Sequence, residues 1–263
     1  MIPVNRPVLD GNESQYLQDC ISSGWISSEG PFVERFEKSF AERVGRKFGV
    51  AVTSGTAALD IAIEMLDLSP GDEVIMPAFT IISCVHQVVR RGAIPVLVDC
   101  ESDTWNMDTE QIESKISSRT KAILVVHIYG LPTDMVKVVQ IASKYGLQII
   151  EDSAEAHGLR VNGVPCGSFG LASTFSFYPN KLITTGEGGM LVTDDEDIDR
   201  RARLLRNLCF GEPRYVHENL GWNYRMTNLQ AAIGCGQMSQ ANILIERRIS
   251  IAKFYKQIGR AHV

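Results

Sequence analysis

Several features that announce a function class are missing from this sequence. Its six cysteines, Cys20, Cys84, Cys100, Cys166, Cys209 and Cys235, form no CxxC pair and no Cys/His metal spacing, which excludes the common zinc patterns. Scattered in this way, they read as reduced thiols in or near the core of a cytoplasmic protein. No run approaches the roughly 18 apolar residues that a membrane span needs. The opening MIPVNRPVLDGNESQ has no apolar signal region, so the expected location is the cytoplasm. Basic blocks are absent too. With 26 basic and 31 acidic side chains the net charge is -5, and no stretch is suited to neutralising a row of phosphates, so nucleic acid is a poor partner. Neither GxGxxG nor a Walker sequence occurs, which weakens nucleotide-fold readings. No repeat or low-complexity tract interrupts the chain.

What remains is an ordinary globular composition, 44% hydrophobic and 22% charged over 263 residues, enough chain to bury a sizeable core. Helix and strand signals alternate. FVERFEKSFAERVG carries apolar residues at helical spacing (Phe32, Val33, Phe36, Phe40, Val44) and stops at Gly45. FGVAVTSG reads as a short buried strand entering a turn, and TAALDIAIEMLDL as a helix closed by SPGD. The unit recurs: DEVIMP, a helix from about Thr80 to Arg91, IPVLVD; then KAILVVHIYG, a helix from about Asp134 to Tyr145, LQIIED. Apolar runs of about five residues separated by amphipathic helices predict a parallel sheet covered on both faces. Ligands of such sheets gather at the carboxyl ends of the strands, so the residues there are the ones to examine.

Three strand ends carry candidate chemistry. SGTAA, Ser54 to Ala58, is a small turn opening a helix; its free backbone N–H groups, the helix dipole and the hydroxyls of Ser54 and Thr56 suit a phosphate, although a plain N-cap has the same sequence. In LQIIEDSAEAHG, Glu151 and Asp152 follow a strand, with Glu155 three residues on. Such acids suit a metal, sugar hydroxyls or a protonated ring nitrogen, or simply cap a helix. His157 reads as structural. The third stretch, SFYPNKLITTGEGGM, sets Lys181 between an aromatic run and a glycine-rich one. Phe175, Phe177 and Tyr178 are placed in sequence to shield the amine, and a shielded amine loses the solvation that favours its charged form and becomes a nucleophile for carbonyl carbon. A phosphate cradle, a strand-end acid and a shielded lysine together suit pyridoxal 5'-phosphate.

The ordered blocks GWISSEGPFVERFE, SGTAALDIAIEML, GDEVIMPAFT, PVLVDCESDTWNMD, TKAILVVHIYGLPTDM, IIEDSAEAHG, TFSFYPNKLITTGEGGMLVTDD and GWNYRMTNLQAAIG resemble the DegT/DnrJ/EryC1/StrS sugar aminotransferases over nearly the whole chain. Three of them, EDSAEAHG, FSFYPNKLITTGEGGM and NYRMTNLQAAIG, are most similar to the branch that aminates C4 of a GDP-linked 4-keto-6-deoxy sugar. The resemblance implies an aspartate-aminotransferase-like fold (fold type I), a large α/β domain with a mostly parallel seven-stranded sheet, and pyridoxal 5'-phosphate as cofactor. Lys181 matches the lysine that binds the cofactor aldehyde. Asp152 matches the acid paired with the pyridine nitrogen, Glu155 a residue near the phenolic oxygen, and Gly55, Thr56 and Ser176 the phosphate positions. Asn223 matches an asparagine that reaches the phosphate of a neighbouring subunit, implying a homodimer with a shared active site. Arg225 is structural or meets the sugar nucleotide.

One position departs from the family. Ile81 stands where relatives often stack an aromatic ring on the cofactor, with Phe79 two residues away. The lysine is not replaced by histidine, as it is in the deoxygenating 3-dehydratase branch, which points to amino transfer; the expected donor is glutamate. The rival readings are a non-catalytic pyridoxal phosphate-binding regulator and an aminotransferase for a UDP- or dTDP-linked keto sugar.

The resemblance also implies two segments, residues 1–240 as the cofactor-binding domain and 241–257 as the start of a small C-terminal domain that is otherwise missing; residues 258–263 are expected to be foreign. The last of these reads IGRAHV, which ATC GGA AGA GCA CAC GTC encodes, the start of a common sequencing-library adapter. The expectation is a natural sequence that ends at or before Gln257.

Overall fold

The computed structural model describes residues 5–260, the side chains of 258–260 excepted. Of the suspected foreign stretch, residues 258–260 continue a helix backbone, while 261–263 lie outside the described residues.

In chain order the elements are α1 (Glu13–Ser23), α2 (Pro31–Val44), β1 (Phe48–Val52), α3 (Gly55–Glu64), β2 (Glu73–Pro77), α4 (Ile82–Arg90), β3 (Ile94–Val98), α5 (Ile112–Lys115), β4 (Thr120–Val126), α6 (Met135–Tyr145), β5 (Gln148–Asp152), β6 (Arg160–Val161), β7 (Val164–Pro165), β8 (Ala172–Ser176), β9 (Gly189–Thr193), α7 (Glu196–Arg206) and α8 (Asn228–Arg260). The expected periodicities fall where these elements lie. Gly45 ends α2 in the left-handed conformation, its N–H returned to the carbonyls of Ala41 and Glu42. Asp134, expected inside the fourth helix, instead caps α6 by accepting from the Lys137 N–H.

Seven strands form one sheet in the order β1-β9-β8-β5-β4-β2-β3. Only β9 runs against its neighbours, pairing antiparallel with both β1 and β8; β8, β5, β4, β2 and β3 are parallel to one another. The mostly parallel α/β class is therefore as expected. The β8–β9 turn is the segment that carries Lys181.

Helices cover both faces. On one, Ala57, Ala58 and Ile61 of α3 and Ile198 and Ala202 of α7 pack on Val50, Ile150 and Leu191, while α4 places Cys84 and Val88 against Val74, Leu124 and Val126. On the other, Phe36 and Phe40 of α2 and Ala231 and Cys235 of α8 close over Phe175, Phe177 and Met190, with α6 beside them on Ile123, Val125 and Ile149. Burying each of the larger aliphatic and aromatic side chains among these contributes about 1.5–3 kcal/mol, so the sheet is fixed from both sides and its strand ends are rigid supports for a site. α8 runs unbroken through residue 240. Among the described residues no helix is long and apolar enough to cross a membrane.

Candidate active site

At the carboxyl ends of the parallel strands lies a cavity of about 540 Å³. It receives Ser54, Gly55 and Thr56 after β1, Phe79, Thr80 and Ile81 after β2, and Tyr129 after β4. Asp152 and Glu155 enter from β5 and its following turn, and Ser176, Tyr178 and Lys181 from β8 and its turn. Eight of the nine residues singled out from sequence thus meet in one place. The ninth, Asn223, is exposed, bridges to Asn207 and does not line this cavity. Arg225 is also elsewhere: its guanidinium donates to Asn207 Oδ1 at 2.8 Å and its backbone bridges to Val52.

The β1–α3 turn is both a cap and a cradle. Ser54 Oγ accepts from the Ala57 N–H at 3.1 Å and the Ser54 carbonyl accepts from Ala58. The first-turn amides of Gly55 and Thr56 are left with no intrahelical acceptor at the positive end of the helix. Glycines bring the walls together here. A Cβ on Gly55 would lie 2.8 Å from Ser176 Cβ, and one on Gly189 would lie 2.3 Å from the Ser54 carbonyl oxygen. The GEGG run therefore serves to let β9 lie against this turn.

The two acids of β5 separate by strand parity. Asp152 faces the cavity and is 3% exposed. Its Oδ1 accepts from the Ala154 N–H at 3.0 Å and its Oδ2 from the Cys84 thiol at 3.1 Å. Burial pushes its carboxyl above the usual range, an effect opposed by those two donors and by the nearby charge of Lys181. Glu151 faces the other way and is fully buried. Its oxygens accept from the amides of Gly167 (2.9 Å) and Phe169 (2.7 Å), from Ser173 Oγ (2.8 Å) and from His127 Nε2 (3.1 Å). The His127 ring must donate through Nε2, because its Nδ1 accepts from the Thr133 N–H. Glu151 is thus excluded from the cavity, and no helix follows the pair to be capped.

Lys181, with a side chain 16% exposed, donates from Nζ to Glu155 Oε1 at 3.0 Å. The other oxygen of Glu155 accepts from the Tyr129 N–H at 2.9 Å. Tyr129 holds a left-handed backbone, φ 51°, as does Trp105 at φ 62°, and both rings stand beside Phe79 at the rim. The shield around Lys181 differs from expectation. Phe175 and Phe177 are fully buried on the opposite face against Phe40 and His157; of the three aromatics only Tyr178 reaches the cavity. His157 is structural here, as expected: its Nε2 donates to the Ser176 carbonyl at 3.0 Å, and burial pushes it down to about 4.

Sequence reasoning missed Cys84, which it read as one more core thiol. It also missed Tyr129, although the end of HIYG was a strand end and so a place to look. All six cysteines are free, and no cluster of potential metal ligands occurs among the described residues.

The lining tests a ligand's chemistry directly. Free first-turn amides suit a phosphate, a buried carboxylate with only two donors needs a cationic N–H, and a partly shielded amine suits an aldehyde. Pyridoxal 5'-phosphate carries all three groups, so the residues present fit it.

Comparison with known proteins agrees. Residues 7–260 match a model of the DegT/DnrJ/EryC1/StrS aminotransferase family. GDP-perosamine synthase of Escherichia coli O157:H7 is 45% identical over 257 residues, covering 97% of this chain and 71% of that protein. Among solved structures, Helicobacter pylori PseC, an aminotransferase involved in pseudoaminic acid biosynthesis, superposes with a TM-score of 0.93 at 27% identity, over 97% of this chain and 70% of its own. The PLP-form of Spr1654 from Streptococcus pneumoniae, described as a sugar aminotransferase, gives 0.91 at 29% identity, with 97% and 71% coverage.

Proposed function

Because the chain belongs to the DegT/DnrJ/EryC1/StrS aminotransferase family, we propose that the cavity around Lys181 transfers an amino group from glutamate to the 4-keto carbon of a GDP-linked 4-keto-6-deoxy sugar. The cofactor of this sugar aminotransferase is pyridoxal 5'-phosphate. The observation that carries the assignment of the site is the convergence of Lys181, Asp152 and the free amides of Gly55 and Thr56 in one cavity. The 45% identity to a GDP-perosamine synthase supports the GDP-linked substrate.

When bound, the cofactor supplies an aldehyde carbon and a ring that takes up electrons from a carbon losing its proton. The residues do the rest. Gly55, Thr56, Ser54 and Ser176 would hold the phosphate, and the charge of Asp152 would keep the ring nitrogen protonated. Lys181 Nζ would bind the aldehyde carbon and, once freed by the donor's amine, would move a proton from the donor carbon to the cofactor carbon in the first half-reaction and from the cofactor carbon to the sugar carbon in the second. Glu155, fixed by the Tyr129 amide, positions that amine. Ile81 and Phe79 both line the cavity, so an aliphatic side chain, with an aromatic one close by, would meet the ring.

Asn223, exposed and away from its own cavity, supports a homodimer in which it reaches the partner's phosphate. Six free cysteines support a cytoplasmic location. The chain spans 71% of the length of the perosamine synthase, and α8 crosses the boundary expected at residue 240 without a break. A non-catalytic regulator has no need of the Lys181 amine beside Asp152, and the presence of both supports catalysis.

The test is to supply full-length protein with glutamate and a panel of GDP-, UDP- and dTDP-linked 4-keto sugars and to identify products by mass. Amination of GDP-4-keto-6-deoxymannose alone is expected. Preference for a UDP or dTDP sugar would overturn the substrate assignment.

A further inference from the structure

Asp152 is asked to remain charged in a place that opposes charge. It is 3% exposed, and among the described residues the only side chain that donates to it is Cys84, which is itself fully buried. Cys84 stands in the first turn of α4, next to the strand end that delivers Thr80 and Ile81 to the cavity. Its sulphur lies 3.1 Å from Asp152 Oδ2 and 3.4 Å from Thr80 Oγ1. A thiol can donate one hydrogen and accept weakly. With an ionised carboxylate on one side, the S–H points to Asp152, and the Thr80 hydroxyl can donate to the sulphur. A chain of donors from Thr80 through Cys84 to Asp152 results.

We propose that Cys84 is a positioning residue for amino transfer: by donating its S–H to Asp152 Oδ2 it holds the carboxylate in the form that pairs with a protonated ring nitrogen. This rests on the reading of Asp152 given above. The physical choice concerns one proton shared between carboxylate and ring. Carboxylate with pyridinium makes the ring an electron acceptor; carboxylic acid with neutral pyridine does not. A donor to Oδ2 stabilises the first arrangement alone, because a protonated carboxyl accepts a hydrogen bond far less well. The other groups facing Asp152 are the Ala154 amide on Oδ1, the more distant charge of Lys181 and the neutral ring of His127. None of them replaces the thiol at Oδ2. Cys84 is not a nucleophile in this role: burial and the adjacent carboxylate push its thiol far above the usual range, so it keeps its proton.

The test uses Cys84→Ala and Cys84→Ser, loaded with ¹⁵N-labelled pyridoxal 5'-phosphate, with Asp152→Asn as a control. In Cys84→Ala the ring-nitrogen resonance should move towards that of neutral pyridine, and cofactor affinity should fall by roughly tenfold, the equivalent of one weak charge-assisted hydrogen bond. Cys84→Ser should restore both, because a hydroxyl donates better than a thiol. A merely structural cysteine predicts the reverse order, since a buried apolar site tolerates Ala better than Ser. Far-ultraviolet circular dichroism of the cofactor-free proteins checks that all three variants fold. If Asp152→Asn moves the resonance but Cys84→Ala leaves it at the wild-type position, the role of Cys84 is refuted while that of Asp152 stands. If Asp152→Asn leaves the resonance unmoved, the ring-nitrogen assignment fails and the role of Cys84 falls with it.

Discussion

Glu151 and Asp152 are adjacent carboxylates at the end of one strand, both buried, and the protein treats them in opposite ways. Glu151 meets four donors and a closed wall; Asp152 meets two, one of them a thiol, and an open cavity. A buried charge is tolerated when hydrogen bonds replace its hydration. Glu151 has that replacement and serves the fold by tying β5 to β8, to the 167–169 turn and to His127. Asp152 has it only in part, and the deficit is what a cationic ring nitrogen makes good. Buried acidity alone therefore does not mark a functional group; incomplete satisfaction next to open space does.

The contrast can be broken first at Asp152. Asp152→Asn, like Lys181→Ala, should lower the rate of amino transfer by on the order of 10³-fold or more, about 4 kcal/mol of barrier, as read by steady-state assay of the full-length protein. The cofactor-free Asp152→Asn protein should unfold within about 1 kcal/mol of wild type, because a half-satisfied buried charge contributes little to the fold. Glu151→Ala should show the opposite pattern. Leaving its four donors without an acceptor is expected to cost about 3 kcal/mol in denaturant unfolding, a larger stability loss than any change at Asp152.

A smaller effect belongs to His157, behind the Ser176 carbonyl. Burial among Phe40, Phe175 and Phe177 pushes its pKa from 6.5 down to about 4. Between those values the unfolded chain binds a proton that the folded chain refuses, so stability rises with pH in this window. The contribution is full above pH 6.5 and is lost as pH falls towards 4, about 3 kcal/mol over the whole window. Unfolding midpoints of His157→Gln at pH 7 and pH 5 should differ less than those of wild type. Smallest is the cap of α3. Ser54→Ala should cost about 1 kcal/mol of stability and weaken inorganic phosphate binding to the cofactor-free protein, measured by calorimetry.

Much of this site was legible because strand ends in parallel sheets are where ligands sit, and Ser54, Asp152 and Lys181 all follow or end strands. What sequence could not give was side. Phe175, Ser176 and Phe177 are consecutive, yet parity sends the two aromatics into the α2–α8 core and only Ser176 to the cavity. The same parity parts Glu151 from Asp152, and the register pairing Glu151 with Ser173 and Asp152 with Thr174 carries it from strand to strand. Cys84 was unreadable for another reason. A cysteine in an amphipathic helix is usually core, and its partner is distant in sequence, joined to it only by the packing of α4 over β2 and β4. Nor do the residues around Lys181 announce its contact with Glu155, which depends on two loops from different strands meeting at one cavity wall.

The central claim, that this cavity holds pyridoxal 5'-phosphate through Lys181, is tested most directly by chemical trapping. The cofactor-loaded protein would be reduced with borohydride, digested and analysed by peptide mass spectrometry. One stoichiometric phosphopyridoxyl group on Lys181 is predicted, with none when Lys181→Ala is treated in the same way. Stoichiometric labelling of a different lysine, or none on the loaded wild-type protein, would contradict it.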